Sequence, residues 1–142
     1  MEKAALAPQD LRPKVADSEK ITINLGFVDL GHVDLMVQDG FYANRTDFIR
    51  TAIRNQLDRH ADAMRQSISR RTLDLGLRHI TRAELETARD AGGMLDINVL
   101  GLATIAPDVT PELARAALRS VKVLGALHAS AAVKAALADR IQ

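Results

Sequence analysis

Apolar and polar residues alternate over a short stretch near the start of the chain. The stretch "EKITINLG", residues 19–26, places three apolar and three polar residues in strict alternation, in the order Lys20, Ile21, Thr22, Ile23, Asn24 and Leu25. A period of two is that of a strand with one buried face. Because a lone short strand is not stable, the pattern also predicts that this strand pairs with another one.

The spacing of apolar residues becomes helical after Gly26. Asp29 is predicted to be the N-cap of a first helix over about residues 30–39. Gly31 falls inside that helix, where it costs about 1 kcal/mol relative to Ala, and Gly40 fits the left-handed position that ends a helix. Phe41 and Tyr42 are predicted to anchor the connection that follows.

A second helix is predicted from Arg45 to about Arg70. Asn44 suits its N-cap, and Asp47 is placed to accept from the cap amide and to meet the positive end of the helix dipole. This helix is basic, since residues 45–71 hold seven arginines and three aspartates. Such a charge is compatible with an ordinary solvated helical face as well as with a polyanion partner.

The rest of the chain contains three similar segments. "LDLGLRHI" (73–80), "NVLGLATI" (98–105) and "KVLGALHA" (122–129) align on Gly76, Gly101 and Gly125. The segments that follow them, "TRAELETARDAG", "TPELARAALRSV" and "SAAVKAALADRIQ", have helical character. Three strand–helix units predict parallel strands with crossover helices, as a small α/β layer or a short solenoid.

Composition and charge restrict the class of protein. The 142 residues include no Cys, so thiolate metal sites and disulfides are excluded. They also include no Trp, and the net charge of only +1 does not by itself indicate a polyanion partner. No segment looks like a signal peptide or a membrane span, and a soluble, cytoplasmic protein is expected. We predict an α/β protein with a flexible arm (1–17), an N-terminal domain of one strand and two helices (18–71) and a C-terminal repeat domain (72–142).

The short strand gains a function if it pairs with its own copy. Two chains would then form an antiparallel ribbon, with the apolar residues packed on the helices and the polar residues on the other face. The major groove of B-DNA admits such a ribbon, and Lys20, Thr22 and Asn24 match the donors and acceptors of base edges. The simpler interpretation is an exposed strand face that only needs to be polar.

The start of the second helix is a candidate phosphate site. Free amides at Asn44, Arg45 and Thr46, together with the helix dipole, can hold a DNA phosphate and set the register of the ribbon. Ordinary helix capping explains the same residues without DNA.

The residues in these two segments resemble a known family. "EKITINL" followed by "GFYANRTDFIRTAIRNQL" is similar to the ribbon-helix-helix family of DNA-binding proteins, of the Arc, MetJ and CopG type, over about residues 19–60. The resemblance implies an intertwined homodimer that reads operator DNA in the major groove with its ribbon. By position, it implies that Lys20, Thr22 and Asn24 read bases and that Asn44, Arg45 and Thr46 bind phosphate.

The role of residues 72–142 is less defined. Strands as apolar as these favour a sheet covered on both faces, and the expected role is assembly into a higher oligomer. His79 and His128 each follow a repeat glycine by three residues, and Thr104 takes the same place in the middle unit. A polar ladder at the strand ends is the simpler interpretation of this column, with a metal or effector site as the alternative.

These observations favour a nucleoid-associated transcription regulator, with repression as the expected outcome. Residues 18–71 are then its DNA-binding domain. No nucleophile with its base, glycine-rich phosphate loop or carboxylate pair predicts an enzyme, and no cofactor is expected. His32 and His60 are interpreted as surface or packing residues, and Asp96 and Asp108 as turn or edge residues. Two alternatives stay open: an antitoxin-like protein that holds a toxin through its C-terminal region, and an architectural DNA-binding protein.

Overall fold

The computed structural model describes residues 18–142, so the predicted arm over residues 1–17 lies outside the described part. The helices are α1 (Phe27–Gln38), α2 (Arg45–Arg59), α3 (Ala61–Arg71), α4 (Arg82–Asp90), α5 (Pro111–Ala117) and α6 (Ala131–Ala136). The strands are β1 (Asp74–Ile80), β2 (Leu95–Ile105) and β3 (Leu118–His128). None of the helices in residues 18–142 is long and apolar enough to span a bilayer.

The first helix begins earlier than its sequence predicts. The N-cap is Gly26, whose carbonyl accepts from the Leu30 amide at 3.0 Å, so the prediction of Asp29 as N-cap is wrong. Asp29 lies instead in the first turn, where its carboxylate faces the positive end of the dipole. Gly31 is helical, and a Cβ there would meet no atom within 4 Å, so packing around it does not require glycine.

The connection between α1 and α2 follows the prediction in part. Gly40 has φ +83°, the left-handed conformation expected just after a helix end. The Tyr42 ring packs edge to face on Phe48 of α2, with centroids 4.9 Å apart. Phe41 is exposed and anchors nothing within the described chain. Of the two aromatic residues, only Tyr42 therefore packs against a helix.

The predicted long second helix is two helices that meet at His60. This residue has φ −100° and ψ 13°, and its amide donates to the Leu57 carbonyl, three residues back, at 3.1 Å. A bond over three residues tightens the last turn of α2 and interrupts the regular ladder. The chain resumes as α3, which ends at Thr72 with φ 52°.

The C-terminal residues form a parallel sheet in the order β1-β2-β3, and the prediction of three strand–helix units is confirmed. Gly76, Gly101 and Gly125 are direct neighbours across the three strands. Strands β2 and β3 begin earlier than predicted. Helix α5 in turn ends at Ala117 and does not continue to Val121, because Leu118 and Val121 are fully buried strand residues.

Helices α4, α5 and α6 pack on one face of the sheet. Each starts with a hydroxyl N-cap, supplied by Thr81, Thr110 and Ser130. Their apolar residues, Leu85, Leu113 and Val133 among them, join buried strand residues and Leu137, just after α6, in a single core. The core residues of the strands are Ile80, Ile97, Val99, Ala103, Ile105, Leu118 and Val121.

Candidate nucleic-acid interface

The segment predicted to read bases is accessible along its whole length. Residues 19–25 belong to no strand within the single chain. Lys20, Thr22 and Asn24 are exposed, as expected for residues that contact DNA. The intervening apolar side chains are also exposed, and Ile21 keeps 73% of its accessible surface. Within residues 18–142 of a single chain, both sides of this segment therefore lack a cover.

An open groove of about 1450 Å³ lies between this segment and the first two helices. Its apolar lining comes from Ile21, Ile23 and Leu25 of the segment, Val33 of α1, and Phe48, Ile49 and Ile53 of α2. On α2, Ile53 and Leu57 are about half exposed, and no residue of that helix is buried. The N-terminal unit of one chain is thus an incomplete core.

The start of α2 has the cap predicted from the sequence. The Asn44 side-chain oxygen accepts from the Asp47 amide at 2.8 Å. The Asp47 carboxylate accepts from the Ala43 amide at 3.0 Å and not from the amide of the cap residue, as the sequence had suggested. The main-chain amides of Asn44, Arg45 and Thr46 have no acceptor within the described part of the chain. These three amides can therefore bind an anion at the positive end of the helix.

The Arg45 side chain is held by a residue that the sequence did not single out. Its guanidinium donates to both carboxylate oxygens of Asp34 on α1, at 2.7 and 2.8 Å. These hydrogen bonds lower the pKa of Asp34 from its ordinary value. No sequence spacing indicates the pair, because the contact depends on how α1 packs against α2. Arg45 can therefore bind phosphate through its amide, while its charge is largely matched by Asp34.

The other arginines of α2 and α3 lie on the surface. Arg50, Arg54 and Arg59 are exposed, and Arg65 pairs with Asp62 at 2.6 Å in a fully solvated position. Exposed pairs of this kind contribute little to stability. The basic surface of these helices is compatible both with a solvated face and with a DNA backbone nearby.

The histidine column predicted from the repeats is present. His79, Thr104 and His128 are neighbours across the three strands, and His79 Nδ1 lies 2.6 Å from the Thr104 hydroxyl. Among residues 18–142, no group of three or more His, Asp or Glu side chains has a metal-binding arrangement. His32 lines the groove, and His60 contacts Gln56 at the junction of α2 and α3.

Asp96 is more than an edge residue. Its carboxylate accepts from Arg119 at 3.1 and 2.5 Å and from the Ser120 hydroxyl at 2.7 Å. These hydrogen bonds lower the pKa of Asp96 to about 2. The cluster ties the start of β2 to the start of β3. Asp108, in contrast, contributes only its main-chain carbonyl, which accepts from Arg82 at 3.4 Å.

Comparison with known proteins gives one match. The model of a family described as the Ribbon-Helix-Helix transcriptional regulator family matches residues 16–134. The match includes the N-terminal helices and the sheet of the C-terminal unit. No curated protein and no solved structure matches the chain.

Proposed function

Because this chain belongs to the ribbon-helix-helix transcriptional regulator family, we propose that it represses transcription as a homodimer whose antiparallel ribbon enters the major groove of operator DNA. The ribbon is formed by residues 20–25 of two chains. The base edges are contacted by Lys20, Thr22 and Asn24. In each chain, a DNA phosphate beside the ribbon is bound by the amides of Asn44, Arg45 and Thr46.

The observation that carries the proposal is the open groove beside residues 20–25. Ile21, Ile23 and Leu25 are apolar, exposed and next to the half-exposed face of α2. Fully burying an exposed side chain of this size contributes roughly 1.5–3 kcal/mol, so burying the exposed part of each of these contributes on the order of 1 kcal/mol. A second copy with the same surface would cover these apolar side chains and the half-exposed face of α2. Residues 20–25 of the two copies would then pair as strands. The polar residues between them would then lie together on the outer face.

The phosphate contact has an independent physical basis. Three free amides at the start of α2 form a site for a single anion, and the exposed arginines further along the helix add positive potential. Phosphate contacts fix the position of a protein on the duplex, whereas base contacts select the sequence. Mutations of the base-contacting residues should therefore change the sequence preference, whereas mutations at the phosphate site should change the affinity for all sequences.

A mobility-shift assay with DNA from the upstream region of the protein's own gene tests the proposal. Asn24→Ala and Lys20→Ala should weaken binding by roughly 10-fold or more and relax the base preference, because a bidentate base contact contributes ~1–3 kcal/mol of discrimination. Asn55→Ala and Lys134→Ala are matched controls, since both residues are exposed and lie outside the predicted base-reading set. Unchanged affinity and base preference in the Lys20 and Asn24 variants would refute reading by the ribbon.

A salt series supplies a second test. Affinity should fall steeply as salt rises, because each phosphate that is neutralised releases counterions. Arg45→Pro removes one of the three amides at the first helical position, where proline is tolerated, and it should weaken binding to all sequences alike. Binding that is insensitive to salt would contradict the phosphate contacts.

We also propose that residues 72–142 serve assembly and not DNA reading. Their sheet carries no cluster of basic side chains comparable with that of residues 45–71. A unit that joins dimers would raise affinity for repeated operators through effective concentration.

A further inference from the structure

One face of the parallel sheet is covered by no helix of residues 18–142. Six apolar side chains lie on it, and we call them the leucine face: Leu75, Leu77, Leu100, Leu102, Leu124 and Ala126. None of them belongs to the buried core that joins the strands to α4, α5 and α6. Parallel sheets are normally covered on both faces, so a bare apolar face on this sheet requires a cover.

The strand register arranges the leucine face in two rows. Leu75, Leu100 and Leu124 are neighbours across the strands in one row, and Leu77, Leu102 and Ala126 form the next. Leu75 and Leu77 are each 72% exposed, and Leu124 is 44% exposed. The apolar surface is therefore contiguous across all three strands.

Polar residues border the leucine face at both ends of the strands. The column of His79, Thr104 and His128 lies beyond one row, and the neighbours Asn98 and Lys122 lie beyond the other. No charged side chain interrupts the two apolar rows. An apolar centre with a polar rim is the usual anatomy of a protein interface.

We propose that the leucine face packs against the leucine face of a second copy of this chain. A surface without charge at its centre is complementary to itself, which a two-fold contact requires. An antiparallel arrangement is the favoured one, because it places Lys122 of each copy near the polar column of the other and keeps the two ammonium groups apart. Two sheets stacked in this way lie about 10 Å apart.

The size of the leucine face explains why it would act only between chains that are already paired as dimers. Three strands at ~4.8 Å spacing, with the two apolar rows and the polar row beyond each of them, give an area on the order of 200–400 Å² per copy, whereas a stable free-standing interface buries ~800 Å² per partner. The contact is therefore too small to hold two free chains. This inference rests on the proposed function in one respect: the ribbon dimer carries two leucine faces, so two dimers can meet through two such contacts at once.

Analytical ultracentrifugation of the full-length chain without DNA tests the contact over a range of concentrations. The wild-type protein should form dimers that convert to tetramers as concentration rises. Leu77→Lys should remain dimeric at concentrations where the wild type is largely tetrameric, and it should fold normally, because Leu77 is already mostly exposed. Met94→Lys is the matched control, since Met94 is a partly exposed apolar residue outside the leucine face, and it should behave as the wild type.

Cross-linking locates the contact directly. The chain has no natural cysteine, so Leu102→Cys introduces the sole thiol at the centre of the leucine face. A bifunctional maleimide with a spacer of about 10 Å, matching the sheet separation, should link two copies efficiently. Met94→Cys, treated identically, should give little product.

The outcomes separate this inference from the proposed function. Equal tetramer fractions for wild type and Leu77→Lys, or a wild type that stays dimeric up to the highest concentration, would overturn the leucine-face contact and leave the ribbon dimer intact. A wild type that stays monomeric at all concentrations would overturn the ribbon dimer itself. A Leu102→Cys chain that cross-links no faster than Met94→Cys would also overturn the contact between leucine faces.

Discussion

Gly101 faces the main-chain carbonyl of Gly76 on the neighbouring strand, and no side chain fits between them. A Cβ at Gly101 would overlap the Gly76 carbonyl oxygen, and a Cβ at Gly125 would overlap the Gly101 oxygen in the same way. All three glycines have positive φ, between +108° and +137°. The three strands therefore share one local conformation, and the repeated glycines allow them to stack with it.

Replacing these glycines by alanine should destabilise the sheet unequally. Gly101→Ala should lower the free energy of unfolding by about 3 kcal/mol or more, because it combines a strained backbone with a clash against main-chain atoms. Gly76→Ala has open space for its Cβ and should cost only the backbone strain, roughly 1–3 kcal/mol. Urea denaturation followed by circular dichroism measures both. Equal losses in the two variants would contradict the clash as the cause.

The ion pair between Arg45 and Asp34 should limit the affinity for DNA. Asp34→Asn keeps the size of the side chain but frees the positive charge of Arg45 at the start of α2. We expect tighter binding at low salt and a steeper dependence of affinity on salt, with the slope increased by about one phosphate contact. Fluorescence anisotropy with a labelled operator measures both quantities.

Asp39→Asn is the matched control for Asp34→Asn. Asp39 is an exposed aspartate just after the end of the same helix. Its substitution by Asn removes the same charge without releasing Arg45. If both variants bind DNA alike, net charge and not the freed Arg45 explains the gain.

A positive charge on the exposed face of α2 should prevent dimerisation. Ile53→Lys places two unpaired ammonium groups in the proposed dimer core, one from each chain. Loss of the burial of two isoleucines that are each about half exposed in the single chain, on the order of 1 kcal/mol each, together with the desolvation of two ammonium groups, should weaken the dimer at least ~30-fold. Sedimentation equilibrium measures the change, and DNA binding should be lost with the dimer.

The control for Ile53→Lys is Gln66→Lys on α3. Gln66 is exposed and the substitution adds the same charge. Dimerisation should be unaffected by it. A dimer that persists unchanged in Ile53→Lys would mean that α2 does not form the core.

Asp96 should make the stability of the repeat unit sensitive to acid. Hydrogen bonds from Arg119 and Ser120 lower its pKa from 3.8 to about 2. A lowered pKa means that the folded state favours the carboxylate, so its contribution is fully present above pH 3.8 and is lost as the pH falls towards 2. The difference in free energy of unfolding between wild type and Asp96→Asn should therefore shrink over this interval. Asp58→Asn, an exposed aspartate of α2, controls for the removal of one carboxylate.

The N-terminal helices show how far local patterns reach. Asn44 and Gly40 have the roles that their residue types predict, because capping depends on a few neighbouring atoms. The N-cap of α1 at Gly26 and the break at His60 were not predicted. Several neighbouring residues could end or begin a helix equally well, so the pattern does not fix the boundary. The Arg45–Asp34 pair could not be predicted at all, because it joins residues eleven positions apart through the packing of two helices.

The sequence by itself determined the three strand–helix units and the registration of their glycines. Equal spacing of the repeats places equivalent residues side by side once the strands run parallel, so the column of His79, Thr104 and His128 followed from the repeat alone. Only the tertiary structure decided which face of the sheet the helices cover. The strands are apolar on both faces, and the alternation that would distinguish them is missing. The two crossovers, through α4 and α5, run in the same direction across the sheet and lie on one face, and α6 packs into the same core. Within residues 18–142, the leucine face is left bare.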